Sequence, residues 1–340
     1  MNPFVSICIP SYNRPQEIIR LLESINPNCQ NDIEIVISED NSQKRQQIVN
    51  AIQEYQKCSN FKIYLHLNDK NLGYDANVRR LVDLARGEYI IFMGDDDVFY
   101  TENLPKFIAF LKKHNDLGYV LKTHTFIHKN GNREDYKYYP TDKFFPAGAE
   151  GYQELFRKSG LISGFCIKRE FVLPIQTDRF DGCLIYQLYL LAELALNHPS
   201  AYCSIPLVIQ DDNLRGTPLF GSSETEKALY VPGEITVESS LRFIDGHFKI
   251  TSFIDEKYNL KSTVELKKNF SKYSFPIISF QRGRGRTIFR YYCKQLEERI
   301  QINQTFYYYI YYYALLLFGK NFCDQSIVEI KKILGRTPNL

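Results

Sequence analysis

Tryptophan is absent from this 340-residue chain, methionine occurs only twice, and the formal net charge is just +3. So weak a charge argues against a nucleic-acid-coating protein, which needs a strong basic excess, and the aromatic residues fit no RNA-recognition signature. No CxxC pair occurs. The eight cysteines stand singly (Cys8, Cys29, Cys58, Cys166, Cys183, Cys203, Cys293, Cys323), and the histidines show no metal-ligand spacing. That excludes a zinc motif and a disulfide framework, and the cysteines read as reduced thiols of a cytoplasmic protein. No apolar run approaches the roughly 20 residues of a membrane-spanning helix. A secretory leader is not expected, because the chain enters a strand within its first few residues. Also missing is the glycine-rich, basic amino-terminal loop that holds a triphosphate. What is plentiful is apolar: 44% hydrophobic residues, with 25 Tyr and 24 Phe. At this length such content supplies a sizeable core and room for one large domain with an appendage.

The most informative stretch is residues 87–99, GEYIIFMGDDDVF. Its apolar run, Tyr89 to Met93, fits a strand buried on both faces, as in a parallel sheet flanked by helices. Three consecutive carboxylates follow: Asp95, Asp96 and Asp97. The carboxyl ends of strands in open α/β sheets are where ligands bind. Adjacent negative charges repel, so a cation is expected to join them. Oxygen-only ligands select a hard ion, Mg²⁺ or Mn²⁺, held by one or two carboxylates plus substrate phosphates. The competing reading is a solvated acidic turn ahead of a helix that begins near Asn103.

The surrounding pattern favours the first reading. Val5 to Pro10 reads as a short apolar strand, followed by Ser11-Tyr12-Asn13-Arg14-Pro15 and a helix with Ile18, Ile19, Leu21, Leu22 and Ile25 on its apolar face. A second strand, Ile33 to Ile37, ends in Ser38-Glu39-Asp40-Asn41-Ser42. A helix (Ile48, Val49, Ile52, Tyr55), a third strand (Phe61 to Leu67), Asn71-Leu72-Gly73 and a helix from Val78 to Ala85 then lead into the carboxylates. Strand and helix alternate, with a polar cluster after each strand. This predicts an α/β fold with a doubly wound, mostly parallel, Rossmann-like sheet whose polar loops converge on one edge.

These residues resemble the family 2 glycosyltransferases of GT-A fold that build bacterial surface polysaccharides. The family's P-x-[YF]-N-R-like turn matches Pro10 to Arg14, and its D-D-x-S matches Glu39-Asp40-Asn41-Ser42. Its N-x-G and A-x-G-E-Y-I match Asn71-Leu72-Gly73 and Ala85 to Ile90, and its metal motif matches Gly94 to Asp97. The resemblance covers about residues 3–120. GDDD in place of the commoner D-x-D-D is similar to the branch containing abequosyltransferase-like O-antigen enzymes.

The resemblance implies that Pro10, Ser11, Tyr12 and Asn13 line the base and ribose of a nucleotide-sugar donor and that Asp40 hydrogen-bonds the base. Asp95 then faces the ribose, and Asp96 with Asp97 holds Mn²⁺ or Mg²⁺ against the diphosphate. Asn77, Arg79 and Arg80, at the start of a helix, suit phosphates, although a solvated helix face is the alternative for the two arginines. Inverting members carry an E-D pair on a later helix, where Asp deprotonates the acceptor. Here Tyr186-Gln187 occupies that place. Asp181 is the nearest substitute base, with Asp178 and Asp211 behind it. The alternative for Asp181 is a cap starting the Leu184–Leu196 helix.

Further along, Val120 to His128 and the Asn130-Gly131 turn read as a hairpin towards Tyr136 to Tyr139. Ser163 to Ile167 reads as a strand running into a helix at Lys168 to Glu170, and Ser204 to Gln210 as the last strand of the catalytic domain. The polar loop 211–216 then places Arg215 as a cation over the diphosphate. The expected division is 1–215 (1–100 nucleotide-binding, 101–215 acceptor half) and a mainly helical extension, 216–340, that opens on a Gly/Ser/Thr/Pro-rich boundary.

That extension carries Arg282-Gly283-Arg284-Gly285-Arg286, then the aromatic run Phe306 to Phe318. Tyrosine favours membrane interfaces and basic residues favour anionic lipid, which suits an enzyme whose saccharide acceptor is lipid-linked, at the cytoplasmic face of the inner membrane. A helix packed on the catalytic domain or on a second subunit is the competing account. No nucleic-acid partner is expected. Two other functions stay open: a nucleotidyltransferase, disfavoured by the missing triphosphate loop, and an inactive homologue acting as a binding or assembly subunit, which the missing E-D pair allows.

Overall fold

The computed structural model describes residues 2–216 and 220–334, and the chain forms two units, 1–233 and 234–340. In the first unit, β1 (Val5–Ser11), α1 (Pro15–Glu23), β2 (Ile33–Glu39), α2 (Arg45–Cys58), β3 (Ile63–Leu67), α3 (Tyr74–Leu84) and β4 (Tyr89–Phe92) alternate as the sequence pattern predicts. β5 (Val98–Phe99), α4 (Leu104–Lys113), β6 (Tyr119–Ile127), β7 (Arg133–Tyr136), β8 (Lys143–Phe145) and α5 (Ala149–Phe156) follow. β9 (Phe165–Lys168), α6 (Arg169–Val172), α7 (Tyr186–Asn197) and β10 (Ser200–Asp211) complete the list.

The sheet runs β3-β2-β1-β4-β9-β6-β10-β5, with β7 beside β6 and β8 beside β10. Pairing is parallel through β3-β2-β1-β4 and again between β6 and β10, while β9 lies antiparallel between β4 and β6. β4 is buried along its whole length and apolar on both faces, which is why it reads as a continuous apolar run, whereas the equally buried β2 carries Glu34, which accepts from Ser6 Oγ at 2.6 Å, and Glu39, which pairs with Arg45. Proline opens α1 and sits in the first turn of α4, where its missing N–H costs nothing. α1 buries Ile18, Leu21 and Leu22 in a core shared with Ile7, Ile35, Ile91 and Phe107. Because β1 pairs in parallel with both β2 and β4, Ser11, Glu39 and the residues after Phe92 emerge on one edge.

The second unit is helical: α8 (Val237–Tyr258), α9 (Ser262–Lys272), α10 (Phe275–Arg282), α11 (Arg286–Ile300), α12 (Phe306–Phe318) and α13 (Lys320–Leu334). Its own core includes Leu241, Ile278, Phe289, Tyr292, Leu296, Tyr308 and Leu315. The boundary lies at Gly233, later than the expected 215/216. The reason is local: residues 222–230 are bound into the first unit. Tyr12 Oη donates to the Ser222 carbonyl, Tyr74 N–H to Glu226 at 2.6 Å, and Tyr230 Oη to the Gly182 carbonyl at 2.9 Å.

Candidate active site

The carboxylate cluster grows from a tight turn. Met93 N–H still bonds Cys8 of β1, and Asp97 N–H then turns back to the Gly94 carbonyl. Space here is tight: a Cβ at Gly94 would stand 3.1 Å from Ser163 Oγ and 3.2 Å from Asp96 Oδ1, so a larger residue would push those side chains by a few tenths of an ångström. The three side chains fan out to different partners. Asp95 accepts from Tyr12 N–H at 3.1 Å and from Arg14 at 2.8 Å. Asp96 lies between two guanidiniums, Arg14 and Arg215, each at 3.1 Å. Asp97 turns toward the other half of the sheet, where Ser163 and Gln210 donate to its Oδ2 at 2.5 and 3.2 Å. Its buried Oδ1 has no hydrogen-bond partner, and Arg215 Nε stands 3.6 Å away.

Burial dominates the electrostatics. It raises the Asp95 carboxyl to about 6, with Arg14 opposing and Asp96 adding to the rise. Asp97 is likewise raised to about 6 by burial and by Asp96, against Arg215, Ser163 and Gln210. Lys122 on β6 is buried and donates to the Leu161 carbonyl; burial pulls its ammonium down to about 7, with Asp97 opposing. An all-oxygen set with one orphaned carboxylate oxygen fits a hard divalent ion that takes its remaining ligands from substrate phosphates and water. Among the described residues no set of three His, Cys, Asp or Glu forms a cage by itself.

Other expected site residues do different work. Asp40 is no free acceptor aimed at a base. Its four acceptor positions are filled by Asn68 Nδ2, Asn71 Nδ2, Leu72 N–H and Gly73 N–H at 2.8–2.9 Å, so it shapes the loop after β3. Burial still raises its carboxyl, against those bonds. Asn77 is buried, donating to the Ser38 carbonyl and accepting from Asn68. Arg80 meets His66 on β3, the strand at the far edge of the sheet from the carboxylates. Neither Asn77 nor Arg80 is brought to the cluster. Pro10 and Ser11 end β1, with Ser11 Oγ buried and unpartnered, and Tyr12 is held by Asp95. Asn13, in the left-handed region, accepts from Lys44 N–H and ties the turn to the start of α2.

The expected base is also differently placed. Both Asp181 oxygens meet the Arg79 guanidinium, and its N–H bonds the Asp178 carbonyl. It does not cap α7 either. That task falls to Asp75 of α3, which accepts from Leu184 and Tyr186 N–H at 2.8 and 3.1 Å and is raised by burial to about 7. Gln187 donates to the Gly160 carbonyl. Asp211 accepts from Asn213. The sequence reading gave no role to Arg14, Ser163, Gln210 or Lys122. Arg14 alone carried a signal, as a cation in the turn after β1.

A doubly wound sheet that gathers three carboxylates and two arginines at the ends of β1, β4 and β10 defines a GT-A-type domain. The crystal structure of S. aureus TarS 1-349 in complex with UDP-GlcNAc shares this fold, with a TM-score of 0.52 at 13% identity, covering 98% of this chain and 92% of that one. Residues 6–171 match the family model described as glycosyl transferase family 2, so the chain carries a domain of that family. An abequosyltransferase of Salmonella typhimurium is 35% identical over 115 residues, 33% of this chain and 34% of the relative. The GalNAc(5)-diNAcBac-PP-undecaprenol beta-1,3-glucosyltransferase of Campylobacter jejuni is 30% identical over 168 residues, 48% of this chain and 49% of the relative. The chain spans about a third to a half of the length of the curated relatives it matches.

Proposed function

We propose that this protein transfers a sugar from a nucleotide-activated donor to a lipid-linked saccharide acceptor in the assembly of a bacterial surface polysaccharide such as an O-antigen or capsule. The observation that carries this reading is the Asp95-Asp96-Asp97 cluster bracketed by Arg14 and Arg215 in a family 2 domain. Pro10 to Asn13 would line the nucleoside, with the unpartnered Ser11 hydroxyl free to meet it. Asp95 fixes the Tyr12 backbone and Arg14, and so holds that wall in place. Asp96 and Asp97 would hold Mn²⁺ or Mg²⁺, whose charge offsets the negative charge gathering on the departing nucleoside diphosphate. Arg14 and Arg215 supply fixed guanidiniums beside the same place, of the kind that binds phosphate oxygens in pairs.

A lipid-linked acceptor is supported by the Campylobacter relative, named for an undecaprenol-linked substrate. Such an acceptor puts the enzyme at the cytoplasmic face of the inner membrane, as a peripheral protein. No helix among the described residues is long and apolar enough to cross a membrane. Gln187, where inverting members carry the acidic pair, favours a second reading, a binding or assembly subunit without turnover.

Thermal shift with nucleoside diphosphates tests the site. A ligand at 100 times its Kd stabilises by about 2.7 kcal/mol, or about 5–10 °C for a unit of this size. The shift is expected with Mn²⁺ for the wild type and not for Asp96→Ala. An equal shift in EDTA, or none with any nucleotide, overturns the reading. Donor hydrolysis without acceptor separates the enzyme from the inactive subunit.

A further inference from the structure

α12 presents an apolar face to solvent. Phe306, Ile310, Tyr313 and Leu317 follow one another at helical spacing along it, and Phe318 with Phe322 of α13 extends the patch. Five of these are more than half exposed in the folded chain: Phe306 at 76%, Tyr313 at 56%, Leu317 at 64%, Phe318 at 61% and Phe322 at 56%. The opposite side of the helix is the one that packs, with Tyr308 and Leu315 fully buried and Tyr308 Oη donating to Glu297 at 2.8 Å. A contiguous exposed apolar surface of this kind marks a binding face.

The charge around it identifies the occupant. Residues 234–340 hold 17 lysines and arginines against 10 aspartates and glutamates, a net +7, although the whole chain carries only +3. The remainder is therefore acidic, and the basic excess is confined to the unit that carries the patch. The basic segment also lies beside the patch itself. Arg282 Nε donates to the Leu315 carbonyl at 2.8 Å, and Lys320 packs against Gly283, so Arg282 and Lys320 border the carboxyl end of α12, and Arg284 and Arg286 follow Arg282 in the same segment. A second copy would bring two such +7 surfaces together, which like-charge repulsion opposes. Aromatic and leucine side chains rimmed by arginine instead match an interfacial helix on an anionic bilayer.

We propose that the exposed face of α12, with Phe322 and the Arg282–Arg286 segment, docks onto an anionic phospholipid surface. This deepens the functional reading by naming where the chain meets the membrane. Its test reads vesicle binding and not sugar transfer, so either can fail alone.

The full chain is floated with phosphatidylcholine vesicles, with and without about one-third phosphatidylglycerol. Wild type is expected to float with the anionic vesicles, and to release as salt rises because exposed charges are screened. Leu317→Glu/Phe318→Glu should abolish flotation while melting like wild type, since both side chains are exposed. Arg284→Gln/Arg286→Gln should weaken partitioning about fivefold per charge, about 25-fold in all. Equal flotation of both variants and the wild type overturns the proposal. So does absence of wild-type binding at low salt, or sedimentation as a dimer that the Leu317→Glu/Phe318→Glu change converts to monomer.

Discussion

Removing Arg14 is the sharpest probe of how the carboxylate cluster is held together. Arg14 pairs with both Asp95 and Asp96, and its side chain is only 13% exposed. In Arg14→Ala, Asp96 keeps Arg215 and Asp95 keeps the Tyr12 N–H, but Asp95 becomes a buried charge without a counter-charge. Breaking one partner from a buried pair costs about 3–5 kcal/mol. With those residual contacts the expected loss at pH 7.5 is about 3 kcal/mol, or about 6–12 °C in Tm. The pH dependence follows from sign. Asp95 already sits at about 6 in the folded chain against an ordinary 3.8. A carboxyl raised on folding favours the native state most when protonated, and that advantage is lost as pH rises through the folded value. Without Arg14 the value rises further, so protonation at pH 5 relieves the stranded charge and the loss should shrink to about 1 kcal/mol. Urea denaturation of wild type and variant at the two pH values measures this. A loss below about 1 kcal/mol at pH 7.5, or the same loss at both, would refute the reasoning.

Three further outcomes are expected. Asp75 is raised to about 7 by burial, so wild-type stability should fall by about 2–4 kcal/mol between pH 4 and 7 on this group's account, and Asp75→Asn should flatten that slope; parallel curves for the two proteins would count against it. Asp40→Ala leaves two backbone N–H groups and two amides without their acceptor, and should lower Tm by about 5 °C or more even without nucleotide, as melting curves of the unliganded proteins would show. Asp181→Asn should keep kcat within about threefold, since Arg79 already occupies the carboxylate, whereas loss of a general base costs about 10²–10⁴-fold; a drop of that size in initial rates would restore Asp181 as the base.

The sequence by itself determined the alternation of strands and helices, the acidic triplet at a strand's carboxyl end, and the helical character of the carboxyl-terminal region. These are local properties: a buried strand such as Tyr89 to Phe92 must be apolar throughout, and amphipathic helices announce themselves by spacing. Tertiary structure decided which charges meet. Arg14 and Arg215 reach the cluster from 81 and 119 residues away, and Ser163 and Gln210 from 66 and 113. No spacing rule links them, because their meeting depends on β9 inserting antiparallel between β4 and β6 and on β10 lying beyond. The same cause reassigned Asp40 and Asp181 and gave Asp75 its place at the start of α7. A carboxylate's role is set by the donors that close around it, and Asn68, Leu72, Leu184 and Arg79 take their places only once the sheet order and helix packing are complete.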